Sequence, residues 1–211
     1  QLRSLDGTVV QELGVWRPLD QVLVDVEPTG TLLYSLQAGQ IFEHHFDGLA
    51  SPGRLIGIHN GAVGVQARPW RERVVTSDRS GEVRIWNTTA ARLERTLASG
   101  ADAEIVALDP GGRFIATSPT NVNLPASPPS LFLMDLAAPS CSEPTPLHSA
   151  GYPGFLGMEF SPQGSWLSTV QVGMVVLWNL KLPRALVLDR QPTAIYYAAF
   201  SPAGDLLTVT E

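Results

Sequence analysis

The chain has 211 residues, 44% of them hydrophobic and 16% charged, which supplies a substantial core and leaves no polar or low-complexity tract of the kind that stays disordered. The formal charge is −6, and apart from Lys181 every basic residue is an arginine; the nearest basic cluster, Arg68, Arg71 and Arg73, reads as a solvated hairpin, which argues against a nucleic-acid surface. No apolar run approaches the roughly 20 residues that span a bilayer, and Cys141, the single cysteine, has no internal disulfide partner, so a soluble protein of a reducing, cytoplasmic compartment is expected.

The first predicted strand lies within QLRSLDGTVVQEL (1–13), which matches in pattern the later segments NTTAARLERTL and NLKLPRALVL. From Val26 onward one pattern recurs: VEPTGTLLYSL (26–36), ARPWRERVVTS (67–77), LDPGGRFIATS (108–118), FSPQGSWLSTV (160–170) and FSPAGDLLTVT (200–210). Their prolines stand at 28, 69, 110, 162 and 202, spaced 41, 41, 52 and 40 residues apart. A period near 40 residues is the mark of a repeat array. Within each copy, apolar residues two and four before the proline, such as Val106 and Leu108 or Met158 and Phe160, share one face of a strand. Proline presets the turn, and Gly30, Gly112, Gly164 and Gly204 supply the positive φ at which the chain reverses. Leu33, Val74, Ile115, Leu167 and Leu207 then begin the return strand.

Third strands follow in GQIFEHH, SGEVRIWN, SLFLMD and VGMVVLWN, with His44, Trp86, Met134 and Trp178 at equivalent places. Fourth strands are expected in GRLIGIH, ARLERTL, PTPLH and RALVLD. The predicted fold is all-β, with four complete four-stranded repeats and an incomplete fifth, bounded near 7–45, 46–87, 88–135, 136–179 and 180–211. Gln1 falls just past a third strand and Glu211 just before one, so a piece of a longer array is expected. The other reading is that the N-terminal strand closes a fifth sheet with the C-terminal hairpin.

These residues resemble the WD40 family of β-propellers. FSPxG at 160–164 and 200–204, TSDRSGEVRIWN at 76–87 and HNGAV at 59–63 carry the resemblance, which extends over the whole chain. The second and fourth units match by letter, the first and third by position. Asn87 and Asn179 follow the tryptophans where the family has Asp, a residue kept at Asp135. The resemblance implies a WD40-type propeller of about seven blades, with the missing blades supplied by the rest of a longer chain. It also implies a structural hydrogen-bond network through His59, Thr76 and Trp86, with Ser80 where an Asp is usual. In the fourth unit the counterparts are Ser168 and Trp178, with His148 a candidate partner and Val172 at the acidic place.

The function so implied is a non-catalytic protein-interaction scaffold that displays loop faces to a protein or peptide, without cofactor, metal, nucleic acid or membrane. Candidate partner-facing residues are Trp70, Arg79 and Tyr197, together with Asn121, Pro125 and Pro128 of the Pro-rich insertion NVNLPASPPS (121–130). The rival reading is the propeller domain of a hydrolase or peptidase whose site lies elsewhere in a longer chain. No GxSxG, HExxH, CxxC or GxxxxGK[ST] occurs, and His44, His45, His59 and His148 do not fall at a ligand spacing. Strand alternation aims Asp25 and Glu159 away from the sheet core, toward a propeller's central channel, where such carboxylates hydrate a water-filled bore; as the converging set an enzyme would need they are too few.

Overall fold

The computed structural model describes residues 2–3, 9–11, 22–23, 32–45, 53–68, 72–99, 103–118, 130–137, 143–148, 155–171, 174–181, 184–190 and 195–210. Among them every regular element is a strand, and no helix is long and apolar enough to cross a membrane. β1 (Leu2–Arg3) and β2 (Val9–Gln11) form a small antiparallel sheet of their own. Four antiparallel meanders of four strands follow. The first contains β3 (Val22–Leu23), β4 (Leu32–Gln37), β5 (Gln40–His45) and β6 (Arg54–Ile58). The second contains β7 (Ala62–Arg68), β8 (Arg73–Asp78), β9 (Glu82–Asn87) and β10 (Arg92–Ala98). The third contains β11 (Ile105–Leu108), β12 (Phe114–Ser118), β13 (Ser130–Asp135) and β14 (Thr145–His148). The fourth contains β15 (Phe155–Phe160), β16 (Trp166–Gln171), β17 (Met174–Asn179) and β18 (Arg184–Arg190). β19 (Ile195–Phe200) and β20 (Leu206–Thr210) make a last hairpin.

This arrangement is a β-propeller-like fold whose sheets do not close on themselves. β1 pairs with β2 and β19 with β20, and among the described residues no strand pairing joins the chain's two ends. Sheet boundaries also fall one strand later than the repeat boundaries set on the tryptophan strand.

The turns explain the Pro–Gly spacing. Gly112, Gly164 and Gly204 donate their N–H to the carbonyls of Asp109, Ser161 and Ser201, at 2.9, 2.8 and 2.9 Å. Each glycine holds a positive φ, between 67 and 96°, which an L side chain rarely adopts. The residue before the proline caps the same turn with its side chain. Asp109 accepts from the Gly111, Arg113 and Phe114 N–H groups, while Ser161 and Ser201 accept from Trp166 and Asp205.

Alternation then builds the core between sheets rather than within one. Val74 of β8 packs with Tyr34, Leu36, Ile41 and Ile56 of the first sheet, whereas its neighbour Val75 packs with Leu108, Ile115 and Met134 of the third. Across the next seam Ala107, Ala116 and Leu131 meet Phe155, Phe160, Leu167 and Trp178. Val170 and Val175 carry the sequence of seams on to Ala198 and Leu206. Burying each such Leu, Ile or Phe contributes about 1.5–3 kcal/mol, so the second, third and fourth sheets each depend on both neighbours for their stability.

Candidate functional site

A single register motif organises the polar interior. Val74 pairs with Trp86 and Leu167 with Trp178. Two residues further along each second strand, on the same face, stand Thr76 and Thr169. The indole N–H of Trp86 donates to Thr76 Oγ1 at 2.9 Å, and that of Trp178 to Thr169 Oγ1 at 3.0 Å. The partner of Trp178 is therefore Thr169 rather than Ser168. A one-residue slip along a strand reverses the face, and Ser168 instead donates its hydroxyl to Glu159 O. His44 holds the tryptophan position of the first sheet and makes the same kind of bond, with Nε2 2.8 Å from Ser35 Oγ. In the third sheet Met134 pairs with Ile115 and its thioether offers no N–H, so the Thr117 hydroxyl is buried without a partner among the described residues.

The second sheet extends the motif into a chain of bonds. His59 is 1% exposed, with Nδ1 2.8 Å from Thr76 Oγ1 and Nε2 3.4 Å from Asp78 Oδ2. The Asp78 carboxylate only accepts, which places the His59 proton on Nε2; Nδ1 then accepts the Thr76 hydroxyl, and a lone pair of that oxygen takes the Trp86 N–H. The carboxylate of the network is Asp78, not a vacancy filled by Ser80. Asp78 lies two residues past Thr76 on one face of β8, and the turn folds Ser80 back so that its N–H and hydroxyl, with the Glu82 N–H, all donate to Asp78 Oδ1. The His59 backbone N–H donates to Gly39 O at 2.7 Å, tying this end of the second sheet to the first. Gly39 has φ 80°, and a Cβ there would come within 2.8 Å of His59 O.

Burial, reinforced by Arg84, pulls the His59 pKa below its ordinary 6.5 against the opposing pull of Asp78 and Glu82; burial lowers that of His44 as well. Both rings fold neutral, so the unfolded chain takes up protons first as pH falls. Stability should therefore be level above about pH 6.5 and decline below it, because the unfolded state binds more protons there. Burial raises the Asp78 pKa, yet the bonds from Ser80, Glu82 and His59 outweigh it and hold the carboxyl below 3.8, so its own contribution is lost only in stronger acid. Urea midpoints measured from pH 8 to pH 5 check this; a midpoint unchanged between pH 7 and pH 5 would contradict it.

A second cluster, buried at Tyr34 and Glu43 and capped by the exposed Arg54, bridges the first two sheets and carries no sequence signature. Glu43, 5% exposed, accepts from Tyr34 OH at 2.7 Å and from Arg54 Nε and Nη2 at 3.0 and 2.8 Å. Arg54 reaches across the seam to the carbonyl of Thr88 at 2.6 Å. Burial above all, with Glu43 adding to it, pushes the Tyr34 pKa up and keeps its phenol a donor.

The other predicted residues separate. Arg79 sits in the β8–β9 turn with its side chain 73% exposed, and it is ion-paired with Glu104. Tyr197 lies on β19 opposite Val209, with its side chain outside the described residues. Trp70, Asn121, Pro125, Pro128, Asp25, Val172 and Cys141 also lie outside them. His148 closes β14 opposite Ser130. Glu159 does not simply hydrate a channel: its Oε2 accepts the Phe200 N–H of the following hairpin at 3.2 Å. Gln66 makes the matching bond to the Leu108 N–H. Among the described residues no three His, Cys, Asp or Glu side chains gather as a metal site.

Arginines separated in sequence meet at the seam between the second and third sheets, at the end of the strands away from His59. A cleft of about 430 Å³ is lined there by Arg73, Glu94, Arg95 and Arg113 over Ile85 and Leu136. Glu94 accepts from Arg73 Nε at 2.9 Å and from Asn87 Nδ2 at 3.0 Å. Arg113 grips Asp135 with Nε and Nη2 and lies 4.8 Å over the Phe114 ring. These bonds hold the Asp135 carboxyl below the usual carboxylate range. Arg95 has only a carbonyl among the described residues, donating from Nη1 to Leu136 O at 3.1 Å.

No protein-family model and no curated protein matches the chain. Solved structures do, 1208 chains in all, so the fold is widespread and selects no activity by itself. One of them, Kuenenia stuttgartiensis hydrazine synthase, superimposes with a TM-score of 0.69 at 14% sequence identity over 87% of this chain. The match spans 59% of the length of that protein, and at this identity the likeness is one of fold.

Proposed function

We propose that the chain is part of a WD40-type β-propeller, four complete repeats and part of a fifth, acting as a non-catalytic scaffold that displays its loop faces to a protein or peptide partner. The observation that carries this reading is the His59–Thr76–Trp86 chain of hydrogen bonds, with Asp78 beside it. Its residues connect strand to strand and turn to sheet, which fixes the loops at that end of the molecule without offering a group to a substrate. Binding would then come from a few anchors on preset loops. Missing blades would be supplied by the rest of a longer chain.

The rival is a propeller domain of an enzyme, and hydrazine synthase shows that the fold occurs in one. Panning a displayed random-peptide library on the immobilised full chain separates the two. Recurrent peptide families that bind the folded chain and are released on denaturation are expected. Absence of binders, together with turnover by the full-length protein in a broad hydrolase screen, would establish the rival instead.

A further inference from the structure

We infer that the seam cleft between the second and third sheets is a recognition site for a carboxylate side chain in an acidic-apolar peptide segment of a partner protein, with Arg95 as its anchor. This rests on the scaffold reading and assigns it a place and a chemistry.

Charge at the cleft is unbalanced in one direction. Its wall carries three guanidinium groups and one carboxylate in a protein whose formal charge is −6. Two of the three are engaged: Arg73 with Glu94, and Arg113 with Asp135 by two nitrogens. Glu94 has a further donor in Asn87, and Asp135 accepts the Ala137 N–H as well. Neither acid is left for Arg95, although Arg95 sits on β10 with partial burial, where an uncompensated charge is costly. Its bond to Leu136 O orients the guanidinium and uses one of its five donors. The remaining fork suits a carboxylate held by two parallel bonds.

The chemistry selects among anions. A phosphate dianion would meet Glu94 and Asp135 at close range, and the protein's net negative charge repels a polyanion from a distance. A single carboxylate incurs less of both penalties. The floor is apolar, with Ile85 buried and Leu136 packed against the same cluster, so the residue beside the acid should be a Leu or Ile side chain rather than a second charge. Arg73 and Arg113 come from different sheets, so a bound segment would also clamp the seam.

The test uses the full chain and labelled, capped hexapeptides containing Glu-Leu, with Gln-Leu and phosphoserine-Leu versions, read by fluorescence anisotropy. Glu-Leu peptides should bind, Gln-Leu versions at least tenfold more weakly, and added salt should weaken the difference. Arg95→Gln, which keeps a donor for Leu136 O but removes the charge, should lower affinity about 10-fold or more, the loss of one anchoring charged pair. Arg95→Lys should restore only part of it, because the fork is absent. Arg92→Gln, exposed on the same strand and outside the cleft, should bind as the parent does. Unaltered urea midpoints establish that each variant is folded. Equal binding by the parent and Arg95→Gln would overturn the proposal, as would tighter binding of the phosphoserine peptide. If library-selected peptides bind but acidic ones do not, this site fails and the scaffold reading stands; if nothing binds, both fail.

Discussion

Thr76→Val and Thr117→Val, the same substitution at equivalent positions of adjacent sheets, are expected to move stability in opposite directions. Thr76 Oγ1 accepts the Trp86 N–H and faces His59 Nδ1, and all three groups are buried. Valine keeps the shape and leaves two polar partners unpaired, at roughly 1–3 kcal/mol for each orphaned group, so a loss of about 2–6 kcal/mol is expected. Thr117 has no partner to lose, because Met134 stands where the other sheets place a ring nitrogen. Valine there removes a buried hydroxyl that forms no bond and should gain about 1 kcal/mol. Urea unfolding of the two variants beside the parent at pH 7.5 measures both. A loss at position 117 equal to that at 76 would mean that the hydroxyl pattern has no energetic role.

The second large effect is expected at Gly57 of β6. A Cβ built there would lie 2.2 Å from Trp86 Cζ3 and 2.4 Å from Cε3, so the glycine is the space into which the ring of the next sheet fits. Gly57→Ala should cost about 3 kcal/mol, the upper end for forcing a methyl group into a packed core. Gly157→Ala is the matched control, since a Cβ there meets nothing within 4 Å. Replacing Trp86 by Leu in the Gly57→Ala background should cost less than the same replacement in the parent, and the double-mutant cycle should show more than about 1 kcal/mol of coupling. Additive losses would show that the ring moves aside freely.

These two sites also mark where local pattern stops being informative. Proline and glycine turns were legible because their constraint is local: Gly112, Gly164 and Gly204 adopt the positive φ that the spacing demands. Trp86 and Thr76 were legible because nine residues separate them across one tight turn. The error at Ser168 came from the same alternation, which assigns a face only once register is known; Leu167 opposite Trp178 is the pairing that selects Thr169. Asp78 was passed over for Ser80 because the turn geometry that folds one onto the other is not a spacing. Gly57, the reach of Arg54 to Thr88, and the Arg73–Arg95–Arg113 cleft depend on how two sheets meet, and no period within one repeat encodes that. Glu159 was aimed correctly off the sheet core, but its partner is an amide 41 residues on.

That amide bond, and the matching one in which Gln66 accepts the Leu108 N–H, bear on how such an array can grow or shrink. The inner strand of one repeat completes the hydrogen bonding of the next, so removing the repeat that carries Gln66 or Glu159 deprives the Leu108 or Phe200 N–H of that acceptor. Ala107 occupies the corresponding place in the third sheet and has no polar side-chain atom to offer the fourth. Between those two sheets a repeat could be inserted without severing such a bond, which makes that junction more permissive than the two on either side of it.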